Sequence, residues 1–167
     1  MSEWTFKNLQ EEQVPWVLHN FGNRPSWQPL LGIAEEIGEL TDAIYADSEA
    51  GIKDAIGDIV IFTADFCTAM GFDLEAIWLV SRQLVHNPPI TICYGQLAHA
   101  YLKKSQGIRG NPKELDADMV GILSGLMDHA FQFATRRNWN LIEIVHETWN
   151  EVKKRDWKAN AATGAIP

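Results

Sequence analysis

A chain of 167 residues, 46% apolar and 22% charged, is long enough for one domain with a sizeable core, and neither its composition nor its longest apolar run suits a disordered or membrane-spanning protein. The formal charge of −8 argues against a general affinity for nucleic acid polymers, which demand a positive footprint. The acidic, Trp-containing N-terminus lacks signal-peptide character, and Cys67 and Cys93 sit in apolar sequence without metal-ligand spacing, so a cytoplasmic protein with two reduced core thiols is expected.

Residues 4–21 read as a first helix in which Trp4, Phe6, Leu9, Gln13, Trp16, Val17 and Phe21 form a mixed amphipathic face. Pro15 either starts that helix or kinks it, because it lacks an amide proton and crowds the preceding turn. The stretch GNRPSWQP is a loop, and a second helix follows from Pro29 or Leu30 to about Ala46, with Pro29 suited to a first helical position. Asp47 or Ser48 can cap a third helix that Gly71 ends near Met70. Asp73 caps a short helix of about 74–82, and LVHNPPIT is a seam that Pro88 and Pro89 keep from being continuous helix. Beyond it, helices are expected over Ile92 to about Ser105, Pro112 to about Arg136, and about 141–158, the last with the basic end KKRDWK. No alternating strand pattern of useful length occurs, so the fold class is all-α, a helical bundle in a single domain.

The second and third helices carry the chemistry. Ile33, Ile37, Leu40 and Ile44 make one apolar stripe, with Glu35, Glu39 and Asp42 roughly opposite and Glu36 at its border. Ile52, Ile56, Ile59, Thr63, Phe66 and Met70 make another, while Asp54, Asp58 and Asp65 share a different face beside Ile61 and Phe62. Carboxylates in partly apolar surroundings need a partner, and Lys53 is the only Lys or Arg between Leu30 and Met70. A cation from solution is the economical choice, and all-oxygen ligands favour Mg2+ or Mn2+. An anionic substrate would need such ions, and a few placed cations, to enter a negative site.

Other helical and phosphate-binding signatures are missing. There is no GxxxxGK[ST] loop, no HExxH, and no His-Asp dipeptide of the kind a common class of helical phosphohydrolases uses. A degenerate internal repeat runs across the seam: FCTAMGFDLEAI (66–77) aligns with FATRRNWNLIEI (133–144), and Gly32 to Ala43 with Gly95 to Gln106. The acids are not copied, since Asp54 and Asp58 face Gly121 and Gly125, and Glu35, Glu36 and Glu39 face Ala98, His99 and Leu102. A catalytic half (1–85) would then pack on a mainly structural half (90–158) and complete a four-helix core within one chain. The alternative is that two unrelated amphipathic hairpins align by pattern alone.

AEEIGEL (34–40) followed by DAIGDIV (54–60) resembles the all-α nucleoside triphosphate pyrophosphatases, the superfamily of MazG-like proteins and dimeric all-helical dUTPases. Their pattern is ExxE on one helix and ExxD on the next, with Mg2+ between them. Glu36 and Glu39 match the first motif and Asp58 the last acid. Ala55 stands where the family has Glu, and Asp54, one turn before Asp58, is the residue placed to compensate. WNEVKKRDW (149–157) is similar to the family's C-terminal segment, where Asn and basic residues approach phosphates, and a second half without the acids resembles the fused arrangement of a catalytic and a structural repeat.

The resemblance implies hydrolysis of a (deoxy)nucleoside triphosphate to the monophosphate and pyrophosphate, a housekeeping reaction of the nucleotide pool. It implies Mg2+, with Mn2+ as the alternative, held by Glu36, Glu39 and Asp58, with Asp54 as an additional ligand. Glu35 is the candidate to orient or deprotonate the attacking water, a ligand role being its alternative. Lys153, Lys154 or Arg155 would steady the outer phosphates, and Asn150 a phosphate or sugar hydroxyl. Trp27 is expected as a stacking platform for the base and Gln13 as a hydrogen-bonding group, with Asn20 or Phe21 nearby; plain packing is the alternative for Trp27, and Trp16 is expected in the core. The basic run has an alternative too, as a cationic helix end favoured by the helix dipole. The competing class is a non-catalytic helical scaffold or regulatory protein that uses its acids for solubility or a protein partner. Seven Trp leave room for an apolar homodimer interface, or a higher oligomer.

Overall fold

Helix boundaries follow local chemistry. In the computed structural model, which describes residues 4–83 and 88–165, seven helices and no strand are present among the described residues. They are α1 (Phe6–Phe21), α2 (Trp27–Tyr45), α3 (Glu49–Met70), α4 (Leu74–Ser81), α5 (Ile90–Gln106), α6 (Pro112–Thr135) and α7 (Leu141–Val152). Polar caps set most of the starts: Ser48 Oγ accepts from the Gly51 amide at 3.1 Å, Asp73 from Ala76 at 3.0 Å, Asn111 from Glu114 at 3.0 Å and Asn140 from Ile142 at 3.0 Å. Each such cap stabilises its helix by about 1 kcal/mol.

Several features differ from those expected, including α5, which starts at Ile90 rather than Ile92. α1 runs unbroken through Pro15, which lies on its exposed side, so water can take the carbonyl that the missing amide leaves unbonded. α2 starts at Trp27 rather than Pro29, because Ser26 is the N-cap and Pro29, the third helical residue, still belongs to the first turn, where amide protons have no intrahelical partner. Trp27 is therefore a helical residue. α7 stops at Val152, not near 158. Backbone groups beyond it are taken by distant partners instead: Asp156 N donates to Gly164 O at 2.7 Å, Trp157 N to Asn20 Oδ1 at 2.7 Å, and Arg155 O accepts from Trp16 Nε1 at 3.1 Å. Of the proline seam, Leu84 to Asn87 lie outside the described residues, and Pro89 is the N-cap of α5.

α2 and α3 are joined by only three residues and pack along each other, which makes them an antiparallel hairpin; α5 and α6 form a second. Packing between the halves is reciprocal, with α7 against α3 and α4 against α6, while α1 lies across α3, α4 and α7. The shared core includes Phe6, Leu9, Ile33, Ile56, Phe66, Leu97, Leu123 and Trp149. Of the expected stripe on α2, Ile33, Ile37 and Leu40 are buried and Ile44 is exposed near the helix end. Two glycines let α3 approach its neighbours: a Cβ on Gly32 would run into the Phe62 ring, and one on Gly57 into the Thr148 side chain. That closeness brings the acidic faces of α2 and α3 beside α7. Cys67 and Cys93 are buried thiols, as expected. No helix of the described residues is long and apolar enough to cross a membrane.

Candidate functional site

The apolar stripe of α2 commits Ile33, Ile37 and Leu40 to the core, and that rotation carries Glu36 inward with them. Glu36 is only 7% exposed, and its Oε2 has no hydrogen-bond partner. Burial first, then the neighbouring charges of Asp58, Glu39, Glu35 and Asp54, push its carboxyl up to about 8. Asp58, half-buried on the facing side of α3, is pushed up to about 7 by burial and by Asp54, with Arg155 pulling the other way. Two helices thus hold five carboxyl groups in one another's field. Asp54 belongs to that group, whereas Ala55 is buried in the apolar core.

Two clefts meet at this cluster. One, of about 400 Å3, runs between α1, α2, α3 and the turn after α7; Glu35, Glu36 and Asp58 lie at its edge, and Gln13, Trp16, Phe21, Arg24, Phe62, Asp65, Arg155 and Trp157 line the rest. The other, of about 490 Å3, lies between α3 and α7 and takes in Lys53, Asp54, Asp58, Asn150 and Arg155. Asp58, Val152 and Arg155 belong to both, so Asp58 sits at the junction of an aromatic chamber and a polar one, with Glu35 and Glu36 in the first, Asp54 in the second and Glu39 in neither. Both volumes are in the range of small-molecule sites.

The donor set fits a hard divalent cation. All the ligating atoms would be carboxylate oxygens, which Mg2+ and Mn2+ prefer, and a buried oxygen without a partner is the feature a cation would relieve. Among the described residues no three acidic, His or Cys side chains stand close enough to form a ready-made cage.

The remaining expected site residues divide. Arg155 lines both clefts and acts on Asp58, and Asn150 lines the polar one. Lys153 is turned away: its Nζ donates to Glu12 at 3.1 Å, and Glu12 also accepts from Trp149 Nε1 at 2.9 Å and Trp4 Nε1 at 3.1 Å. Burial works to raise the Glu12 carboxyl, but these donors hold it below its ordinary value. Lys154 is exposed and paired with Glu151 at 2.6 Å. Asn20 is an anchor, donating to Trp16 O at 2.9 Å and accepting from Trp157 N. Trp27 is 47% exposed at the start of α2 and lines neither cleft. Gln13 lines the aromatic chamber at 3% exposure.

Aromatic walls come instead from Trp16, expected in the core, and from Phe21, Phe62 and Trp157. Asp65 does not wait for a cation from solution either. Arg24 pairs with it and lies over the Phe21 ring, 4.7 Å from its centre. Arg24 is the sole Lys or Arg between Lys7 and Lys53, a signal visible in the sequence, but its pairing partner forty-one residues away is not. Compared with protein-family models, with curated proteins and with solved structures, the chain matches nothing.

Proposed function

We propose that this protein is a Mg2+-dependent nucleoside triphosphate pyrophosphohydrolase built on a MazG-like bundle, whose degenerate second half completes the four-helix core. The observation that carries the reading is Glu36: a carboxylate buried among four other acids, with one oxygen unpartnered, is stable in its charged form only beside a cation. The reciprocal packing of the two helical hairpins supports the bundle. Two joined chambers, one aromatic and one polar with Asn150, Arg155 and a Lys53 that pairs with Glu147 at 3.5 Å, suit a molecule with a flat ring at one end and phosphates at the other.

Glu36, Glu39, Asp54 and Asp58 would hold the metal. When bound, Mg2+ supplies charge neutralisation of phosphate oxygens and a bound water of lowered pKa. Arg155 steadies the phosphoryl group against Asp58, and Asn150 orients the outer phosphates or a sugar hydroxyl. Glu35, exposed at the chamber's edge, takes the proton of the attacking water on its carboxylate as the α–β bond breaks and pyrophosphate leaves. Lys153 and Asn20 serve by position only, through Glu12 and Trp157.

A second reading, a non-catalytic helical scaffold, is favoured by one observation: no three metal-ligating side chains form a ready cage among the described residues. A panel of nucleoside triphosphates with Mg2+, read by 31P NMR for pyrophosphate against orthophosphate, separates the two. Pyrophosphate and monophosphate as first products, lost in Asp58→Asn, are expected. Orthophosphate first overturns the bond assignment, and no turnover together with no Mg2+-dependent rise in melting temperature overturns the enzyme.

A further inference from the structure

The polar chamber carries its two cations at opposite ends. Lys53 and Arg155 are the only Lys or Arg side chains that line it. The register of α3 against α7 fixes where each of them stands. Lys53 meets Glu147 near the start of α3, and Gly57 lies against Thr148 one turn further on. Asp58 is in the field of Arg155, which follows the end of α7. Lys53 and Asp58 are five residues apart, roughly 7–8 Å along the helix axis. Asp54 on α3 and Asn150 on α7 fall between those ends in sequence and line the same cleft.

Lys53 is open to solvent, with 43% of its side chain exposed, and its commitments are weak. Its Nζ stands 3.5 Å from Glu147, whose side chain is 71% exposed, and 6.0 Å from the centre of the Trp139 ring. An exposed pair this long contributes little, and a terminal phosphate, more highly charged than a carboxylate, competes for the same ammonium. The neighbouring cations are held elsewhere: Lys153 by Glu12, Lys154 by Glu151 and Arg137 by Glu49. In the hydrolysis proposed above, the reacting α-phosphoryl group lies beside Asp58 and Arg155. The β- and γ-phosphoryl groups then extend along the cleft toward Lys53, and a diphosphate stops short of it.

We infer that Lys53 reads the terminal phosphate and makes the protein select triphosphates over diphosphates, an inference that rests on the nucleotide reading above. With either substrate, water adds to the α-phosphorus and the α–β P–O bond breaks; a triphosphate releases pyrophosphate and a diphosphate releases orthophosphate. Lys53, a compact point charge, offsets the negative charge that the departing pyrophosphate gains. Glu147 is the competing partner that holds Lys53 until a triphosphate arrives. The test measures kcat/KM, by 31P NMR with Mg2+, for each nucleoside triphosphate of the panel and for its matching diphosphate. The parent is expected to prefer the triphosphate by at least about tenfold. Lys53→Gln, which removes the charge, is expected to bring that ratio down to about threefold or less, mostly through the KM for the triphosphate, while Lys53→Arg retains most of the preference. Glu147→Gln, which releases Lys53, is expected to lower the KM for the triphosphate about twofold to threefold. A loss in Lys53→Gln that falls equally on both substrates marks a structural role and overturns the inference. Equal use of tri- and diphosphates by the parent, or a higher KM for the triphosphate in Glu147→Gln, also overturns it and leaves the hydrolase standing. Turnover of neither kind of substrate overturns both.

Discussion

Glu36→Gln isolates the charge on which the site depends. In the metal-free protein the folded state holds the Glu36 proton up to about 8, against 4.5 for an unperturbed glutamate. The folded state thus binds more protons than the unfolded chain across that window, so stability from this group is complete below about 4.5 and is lost as pH climbs through about 8. At about 1.36 kcal/mol per pH unit the ceiling on that loss is roughly 4–5 kcal/mol. Asp58, itself raised to about 7, shares the repulsion, and the open cleft admits water, so about 2 kcal/mol is the working figure. Glutamine keeps the shape and removes the charge. In chelator near pH 8.5, Glu36→Gln should be the more stable protein by about 2 kcal/mol, or roughly 4–8 °C in Tm for a chain of this size. Near pH 4.5 the two should coincide. Millimolar Mg2+ should reverse the order at the higher pH, since only the parent gains a ligand set. Urea unfolding followed by tryptophan fluorescence, with chelator or Mg2+, reads all three comparisons. A variant no more stable than its parent in chelator near pH 8.5 refutes the reasoning, because the carboxylate would then be well accommodated without a cation.

Asp58→Asn should abolish Mg2+-dependent thermal stabilisation and lower triphosphate turnover by on the order of 100-fold or more, checked by scanning calorimetry and pyrophosphate release. Lys153→Ala and Arg155→Ala should behave as opposites: the first loses about 1 kcal/mol of stability with kcat/KM within about twofold, the second loses about 100-fold in kcat/KM with little change in Tm. The reverse pattern would put Lys153 at the phosphates and undo its pairing with Glu12. Gly57→Ala should cost about 1–3 kcal/mol, measured by denaturant unfolding, by forcing α3 and α7 apart at Thr148. Asn20→Ala should speed hydrogen exchange over residues 156–164 and lower kcat/KM by roughly threefold to tenfold while leaving Mg2+ affinity unchanged, because it frees the turn that carries Arg155 and Trp157.

Helix identity and the acid cluster were legible because both rest on short-range periodicity. Spacing of Ile33, Ile37 and Leu40 determines which way α2 rolls, and with it the burial of Glu36; spacing on α3 half-buries Asp58 and leaves Asp54 exposed. Asp54 was expected one turn before Asp58, and its charge does act on Asp58. What periodicity could not show is which groups outside the hairpin complete the site. Trp27 reads as a loop aromatic beside two prolines, yet Ser26 starts the helix early enough to turn it outward. Lys153, Lys154 and Arg155 are three adjacent cations in the sequence, and only contacts from α1 distinguish them: Glu12 claims Lys153, and Trp16, by holding the Arg155 carbonyl, helps to fix the turn from which Arg155 faces Asp58.

The chamber's walls are mostly helical, and its two arginines and Trp157 are the groups carried on irregular chain. A surface of net charge −8 with five carboxyl groups at one spot repels a polyphosphate, so cations must be delivered without closing the hairpin on itself. Lys53, on α3 itself, is taken by Glu147 of α7 at 3.5 Å rather than by an acid of the hairpin. Arg24 stands before α2 and Arg155 after α7. Asp65 holds Arg24, and Asn20 and Trp16 hold the turn that carries Arg155, so each guanidinium is positioned by groups other than Glu36, Glu39 or Asp54. Arg155 is thus the cation whose charge reaches the acidic centre, while that of Arg24 is neutralised by Asp65.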